Sequence, residues 1–109
     1  MAVQRVASVI GVDEAGIEEY ERLHANAWPG VLKKITECNI RNYSIYRYGN
    51  LLFSYFEYHG DDLDADMDLM AQDEETQRWW SVCNPLQRKV PEATEEEWWH
   101  AIPEVFHHD

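Results

Sequence analysis

The stretch that decides the fold reads Ile40-Arg-Asn-Tyr-Ser-Ile-Tyr-Arg-Tyr48, then Gly49-Asn50, then Leu51-Leu-Phe-Ser-Tyr-Phe-Glu-Tyr58. Both flanks alternate from one side to the other and are rich in the aromatic and β-branched residues typical of strands. Glycine followed by asparagine is favoured in two-residue hairpin turns. The stretch therefore predicts two antiparallel strands, over 40–48 and 51–58, joined by a tight turn.

Both faces of this predicted hairpin carry apolar side chains. Along its second strand, Phe53 and Tyr55 lie on one face, whereas Leu52 and Phe56 lie on the other. An antiparallel sheet with helices on one side is normally polar on its second face. We therefore expect something to cover the free face. In so short a chain the simplest cover is the same sheet of another copy, which predicts a homodimer.

Ahead of the hairpin, the stretch Tyr20-Glu-Arg-Leu-His24-Ala-Asn-Ala-Trp28-Pro29 predicts a helix. Its inward face, read at helical spacing, carries Ile17, Tyr20, His24, Ala27 and Val31. Tyr20 and His24 thus place a phenol and an imidazole, two groups that exchange protons, one turn apart toward the interior. From these residues alone, a core histidine that is simply hydrogen-bonded beside a packing tyrosine remains the alternative.

The segments around these two stretches predict further elements. Residues 3–12 are rich in β-branched side chains and predict a first strand, after which Asp13 can cap a helix over 14–27. Pro29-Gly30 interrupts that helix, and helical spacing resumes up to about residue 37. Near the end of the chain, Thr94 and Glu97 have capping-box spacing for a brief helical turn, and Val105-Phe106 suits a last strand.

Residues 61–75 form an acidic run that resembles a calcium loop only superficially. An EF-hand that began at Asp64 would need glycine at its sixth position, where Leu69 stands. Leu63, Met67 and Met70 instead follow helical spacing, which predicts a helix with an acidic, solvated face. A second short helix then begins at Asp73 or Thr76 and ends at Asn84-Pro85.

In chain order the principal elements are strand, helix, strand, strand, helix and strand. This is the ferredoxin-like βαββαβ arrangement of an α+β domain, and two copies paired through their sheets would form a dimeric α/β barrel. We expect residues 1–109 to form a single domain, because the length suits one core and no linker or repeat interrupts it.

Composition excludes several classes of function. A formal net charge of −12 argues against partners such as nucleic acid and anionic membrane surfaces, and favours a neutral ligand. No apolar run approaches about 18 residues and no leader pattern opens the chain, so we expect neither a membrane span nor a signal peptide. Cys38 and Cys83 are lone thiols, which favours the cytoplasm. No phosphate-binding, cofactor or metal motif is present.

Two pairs of tryptophans, Trp79-Trp80 and Trp98-Trp99, point to a sugar ligand. Flat aromatic faces pack against the C–H face of a pyranose, while N–H and O–H groups bind its hydroxyls. Adjacent residues on a helix diverge by about 100°, so each pair can divide between core and cavity. Tryptophans that only fill the core are the alternative.

Several separated motifs resemble those of the L-rhamnose mutarotase family, in the family's order and over roughly residues 3–107. They are Tyr20 to His24, Trp28-Pro29, Asn42-Tyr43-x-Ile45-Tyr46, Asn50-Leu51-Leu52-Phe53, Gln77-Arg78-Trp79-Trp80 and Glu104-Val105-Phe106. The resemblance implies a dimeric α/β barrel that interconverts the α and β anomers of L-rhamnopyranose without a cofactor or metal ion. It also implies that His24 is the proton donor and that the sugar is bound by Tyr20, Tyr43, Trp79 and Trp80.

The chemistry of mutarotation suits a histidine. Opening the hemiacetal ring requires one proton on the ring oxygen and removal of another from the anomeric hydroxyl. Imidazole, with a reference pKa of about 6.5, offers both protonation states near neutral pH. Three alternatives stay open: a mutarotase for L-fucose or another 6-deoxy sugar, a cofactor-free or haem-dependent oxygenase of the dimeric α/β barrel type, and a non-catalytic acidic binding module.

Overall fold

The computed structural model describes residues 3–109, which form a curled antiparallel sheet with helices packed against one face. The first half contains β1 (Gln4–Val12), α1 (Ile17–Ala25), α2 (Pro29–Glu37) and β2 (Ile40–Tyr48). The second half contains β3 (Leu51–Tyr58), α3 (Leu63–Gln72), α4 (Glu74–Cys83), β4 (Gln87–Arg88) and β5 (His100–Ile102). No helix within the described residues is long and apolar enough to cross a membrane.

The sheet has the strand order of a ferredoxin-like α+β domain, as predicted. β3 lies between β2 and β1, and all the pairings are antiparallel. The fourth position is divided, because β4 pairs with Gly11 and Val12 of β1 while β5 pairs with residues 7–9 of the same strand. The predicted hairpin is confirmed, and Gly49 adopts the left-handed backbone conformation (φ 59°) that its tight turn requires.

The main core lies between β1, β3 and the helices. Every second residue of β1 and β3 faces the helices, so that Ile10, Val12 and Leu52 are buried against Tyr20 and other helix side chains. The predicted inward face of the first helix is therefore confirmed. A second, smaller cluster joins the ends of β2 and β3 to α3 through Cys38, Ile40, Tyr58 and Met70.

The helix predicted over 14–27 differs at both ends. Its first turn is a short 3₁₀ segment (Glu14–Gly16), and the Asp13 side chain does not cap it. The Asp13 carboxylate is instead drawn to Arg88, whose Nη2 lies 3.4 Å away. At the other end α1 stops at Ala25, and α2 begins with Pro29 at its first position, where the fixed φ of proline is favourable.

The predicted last strand at Val105-Phe106 is wrong. β1 pairs instead with His100–Ile102, and Val105 and Phe106 are 93% and 81% exposed. Pro103 follows β5 directly and has no N–H for the ladder, which accounts for the strand ending there.

Carboxylates organise the acidic run and the loop before β5. The run forms two capped helices: Asp62 accepts a hydrogen bond from the Ala65 N–H at the start of α3, and Asp73 caps α4.

In the loop over 89–99, Glu97 accepts hydrogen bonds from the backbone N–H groups of Thr94 and Ala101, each at 2.9 Å. The predicted helical turn at Thr94 and Glu97 therefore forms as a turn but not as a helix. The hydrogen bonds from Ala101, His100 and Thr94 lower the pKa of Glu97 to about 2.

Candidate active site

A cavity of about 400 Å³ lies between the inner face of the sheet and the helices. All five residues predicted as site residues line it, brought from α1, β2 and α4: Tyr20, His24, Tyr43, Trp79 and Trp80. Its remaining walls are mostly apolar, with Phe56, Met67 and Met70 among them. The structure therefore gathers around one cavity residues that are up to 60 positions apart in the sequence.

His24 is held in one orientation by α1. Its Nδ1 lies 2.9 Å from the backbone oxygen of Tyr20, one turn earlier. A carbonyl oxygen only accepts, so Nδ1 carries the hydrogen and the lone pair of Nε2 remains free in the neutral ring. The imidazole stacks on the Tyr20 ring with centroids 4.1 Å apart, and meets the edge of Trp79 at 5.0 Å.

Burial sets the protonation state of His24. Desolvation disfavours the charged imidazolium and lowers the pKa of His24 below its ordinary value, although the hydrogen bond to Tyr20 opposes this. The ring is therefore neutral at neutral pH. A neutral imidazole with a free Nε2 is a proton acceptor first, and a donor once it has accepted.

Tyr20 is a buried phenol with a defined partner. It is 3% exposed, and the Nε2–H of Gln87 donates to its hydroxyl oxygen at 3.1 Å. Burial raises the pKa of Tyr20 well above its ordinary value, which outweighs the lowering by the Gln87 bond. The hydroxyl therefore keeps its proton and serves as a hydrogen-bonding group rather than as a base.

The two tryptophans of α4 divide between core and cavity rim. Trp79 is 7% exposed and packs its ring against the edge of Trp28, with centroids 5.2 Å apart. Trp80, the next residue, is 36% exposed and covers the rim. Trp98 and Trp99 also line the cavity, from the loop before β5, so all four indoles of the two pairs meet at one site.

An irregularity in β2 brings Tyr43 to the cavity face. Arg41 pairs with Glu57 and Ser44 with Tyr55, so Asn42 and Tyr43 together oppose Phe56 in a β-bulge. Because of the extra residue, Ile40, Tyr43 and Ile45 all line the cavity, where unbroken alternation would separate Ile40 from the other two. Removal of water from around the Tyr43 hydroxyl raises its pKa to about 12.

Sequence reasoning missed several polar side chains of the site, among them Gln87, Ser8 and Ser54. Gln87 belongs to no motif, and it accepts a hydrogen bond of 2.7 Å from Trp98, one of the indoles that the sequence offered for a sugar. Ser8 and Ser54 lie opposite each other on β1 and β3, with hydroxyl oxygens 2.6 Å apart on the cavity floor. The only available signal for the serines was a small polar residue at an inward position of each strand.

Comparison with known proteins identifies a family that matches nearly the whole chain. A family model described as L-rhamnose mutarotase matches residues 5–108. An L-rhamnose mutarotase of Listeria monocytogenes is 30% identical over 91 residues, which cover 82% of this chain and 85% of that protein.

Solved structures show the same fold. The crystal structure of an L-rhamnose mutarotase from Formosa agariphila superposes with a TM-score of 0.76 and 20% identity, over 97% of this chain and 99% of that one. Tetracenomycin F2 cyclase of Streptomyces glaucescens, a type-II polyketide cyclase, superposes with a TM-score of 0.70 and 18% identity, over 96% of this chain and 95% of that one. At these identities the superpositions establish the architecture alone, and it is the dimeric α+β barrel fold.

Proposed function

The chain belongs to the L-rhamnose mutarotase family, and on this premise we propose that it is an isomerase that interconverts the α and β anomers of L-rhamnopyranose. One observation carries the proposal beyond the family match. A neutral imidazole with a free Nε2 stands beside a protonated phenol at the wall of a cavity large enough for a pyranose. These two groups match the acceptor and the donor that opening of a hemiacetal requires.

The reaction follows from this pair of groups. Nε2 of His24 accepts the proton of the anomeric hydroxyl as the bond between C1 and the ring oxygen breaks. The imidazolium then gives that proton to the ring oxygen, which leaves an open-chain aldehyde and neutral His24. After the C1–C2 bond rotates, the same transfers run in reverse and close the ring on the other face of the carbonyl. Tyr20 donates a hydrogen bond during these steps and keeps its proton.

The walls of the cavity suit a deoxy sugar. Trp80 and Tyr43 offer aromatic surface to the C–H face of the ring, and Trp79 fixes His24 from behind. The apolar wall at Phe56, Met67 and Met70 is a fitting place for the methyl group of a 6-deoxy sugar. We propose L-rhamnose as the substrate, with L-fucose and other 6-deoxy-L-hexoses as the comparison set.

We also propose that the protein acts as a homodimer joined through the outer face of the sheet. Phe53 pairs with Tyr46 on that face, Tyr55 lies beside them, and Val9 of β1 continues the apolar surface. A second copy of the same surface would remove it from water. In this arrangement each cavity stays on the helix side of its own sheet.

The single domain over residues 1–109 and the cytoplasmic location expected from the sequence stand as proposals too. Both core clusters draw on the same sheet and share Ile35 as a neighbour, which supports one folding unit. Cys38 and Cys83 are free and buried, which suits a reducing compartment.

The decisive experiment is anomer exchange measured by NMR magnetisation transfer between the α and β anomeric protons. We expect the protein to accelerate exchange of L-rhamnose above the spontaneous rate, and more than that of sugars that carry a 6-hydroxyl. Exchange at the spontaneous rate for every sugar of the panel would refute the proposed function.

A further inference from the structure

Gln87 and Trp98 form a chain of hydrogen bonds that ends on Tyr20. The indole Nε1–H of Trp98 donates to Oε1 of Gln87 at 2.7 Å, and Nε2–H of Gln87 donates to the Tyr20 hydroxyl at 3.1 Å. Gln87 is 7% exposed, so the bond between it and Tyr20 is buried at both ends. All three side chains line the cavity that also holds His24.

The direction of every bond in the chain is set by the indole. An indole N–H only donates, so the oxygen of the Gln87 amide must face Trp98 and the NH2 group must face Tyr20. The hydroxyl oxygen of Tyr20 therefore accepts, and its own hydrogen is left to donate elsewhere. Within residues 3–109 Gln87 is the hydrogen-bond partner of the Tyr20 hydroxyl. The hydroxyl hydrogen of Tyr20 is therefore available to a ligand in the cavity.

We propose that Trp98 and Gln87 are positioning residues that fix the Tyr20 hydroxyl as a hydrogen-bond donor to the ring oxygen of the substrate. The inference rests on the proposed function, because it takes the ligand to be a pyranose. His24, stacked on Tyr20, presents the opposite polarity, since its Nδ1–H is held by a backbone carbonyl. One donor beside one acceptor matches a hemiacetal, whose ring oxygen only accepts and whose anomeric hydroxyl can donate.

This polarity matters most while the ring opens. As the bond between C1 and the ring oxygen breaks, negative charge builds on that oxygen until the proton arrives. A hydrogen bond to it is stronger at that stage than in the closed sugar. Loss of the donor therefore lowers kcat more than it raises KM.

The test reverses the polarity without a change in size. In Gln87→Glu the carboxylate only accepts, so the Tyr20 hydroxyl turns its hydrogen toward residue 87 and away from the sugar. We expect kcat for anomer exchange to fall about 10-fold or more, with KM little changed. Trp98→Phe keeps an aromatic wall, frees the amide of Gln87 to rotate, and lowers kcat less. It also provides a second measurement if Gln87→Glu fails to fold.

Both substitutions are repeated in a Tyr20→Phe background. If they act through the Tyr20 hydroxyl, neither lowers kcat further there. Equal losses in both backgrounds would show a merely structural role and overturn the positioning proposal while leaving the mutarotase function in place. A wild-type protein that exchanges no sugar would refute the function itself.

A measurement without sugar tests the positioning proposal independently of the proposed function. The Tyr20 13Cζ and Trp98 indole 15N–1H NMR signals report the bonds directly. We expect Gln87→Glu to move both signals, and Trp98→Phe to move the Tyr20 signal. A Tyr20 signal that neither variant moves would overturn the chain of bonds.

Discussion

At the scale of single residues, the state of His24 is set by two neighbours and by burial. The Tyr20 carbonyl fixes the tautomer, Trp79 closes one side of the ring, and desolvation keeps the imidazole neutral. In the proposed mechanism, these features assign the proton transfers to one nitrogen atom, Nε2. Substitution of His24 and the pH dependence of activity therefore provide two separate tests of the role of this nitrogen.

Replacement of His24 by alanine should remove the chemistry and keep the fold. We expect His24→Ala to bind sugar but to exchange anomers about 10²-fold or more slowly, since a positioned base contributes about 10²–10⁴-fold. Magnetisation-transfer NMR measures the rate, and circular dichroism controls for folding. Tyr20→Phe is the matched comparison and should cost less activity, because it deletes a hydroxyl that forms hydrogen bonds but does not transfer the proton. Wild-type exchange in a folded His24→Ala protein would refute the assignment.

The pH dependence should follow the neutral form of His24. Because burial lowers the pKa of His24, activity is full above that pKa and falls as the pH is lowered through it, at a midpoint below the ordinary histidine value of about 6.5. The same shift makes the folded protein lose stability as the pH falls from about 6.5, since the unfolded chain binds the proton more readily. A rate profile that is flat from pH 5 to 9 would move the catalytic role to another residue.

Sequence reasoning reached some of these residues and not others, for a physical reason. Helical spacing places Tyr20 and His24 on one face, because that relation is local. Gln87 is 67 positions from its partner Tyr20, and its amide has no pattern of its own. Its role exists only after β4 has paired with the end of β1.

At the scale of secondary-structure elements, α4 depends on the cap that begins it. Asp73 accepts hydrogen bonds from the Thr76 hydroxyl at 2.8 Å and from the Thr76 N–H at 3.0 Å. Thr76 is buried, and α4 carries Trp79 and Trp80 into the cavity one turn later. The cap therefore connects the stability of this helix to the proposed sugar site.

We expect Asp73→Ala to lower the thermal midpoint by a few degrees and to weaken sugar binding in parallel. Asp62→Ala, at the corresponding cap of α3, is the matched control and should lower stability with a smaller effect on affinity. The pKa of Asp73 is lowered mainly by the Thr76 hydroxyl, so its stabilisation is present above about pH 4 and disappears as the pH falls through the lowered pKa. The wild-type protein and Asp73→Ala should therefore become equally stable at acidic pH. A difference in stability that does not change with pH would contradict the role of Asp73 as a cap.

The strands show where pattern reading is reliable and where it fails. The hairpin and its turn follow from alternation and turn chemistry, and β1 follows from its β-branched residues; all of these signals are local. Two other features depend on pairing with a distant strand. One is the bulge at Asn42, whose φ is 52°, in the register of β2 against β3. The other is the pairing of His100–Ile102, rather than Val105-Phe106, with β1. Long-range pairing decides such positions, and a single sequence does not encode them as a period.

At the scale of the whole molecule, the outer sheet face predicts the assembly. The cross-strand pair Tyr46 and Phe53 is central to that face. We expect Tyr46→Asp with Phe53→Asp to give a folded monomer in light scattering at micromolar concentration. Leu69→Asp, an apolar-to-acidic change at an exposed position of α3, controls for added acidic charge and should stay dimeric. A wild-type monomer under the same conditions would refute the homodimer.

The charge of the chain predicts how that assembly responds to salt. Each copy carries a formal charge of −12, so two copies repel each other. Salt screens this repulsion and strengthens apolar association. The Kd of the dimer should therefore fall when the NaCl concentration is raised from about 0.05 M to about 0.5 M. Sedimentation equilibrium measures it. A Kd that rises with salt would indicate an interface held by ion pairs instead.

The division of the fourth strand into β4 and β5 affects how readily this edge of the sheet opens. Within residues 3–109, the strand pairing at this edge comes from Gln87–Arg88 and His100–Ile102, and the loop between them supplies two indoles of the cavity wall. A segment with few ladder bonds opens at a lower free energy than a central strand. Deuterium should therefore enter the amides of 89–99 sooner than those of β3, and bound sugar should delay it. Such exchange would indicate that the wall opens while the sheet stays paired, which would give a sugar a way in and out without unfolding.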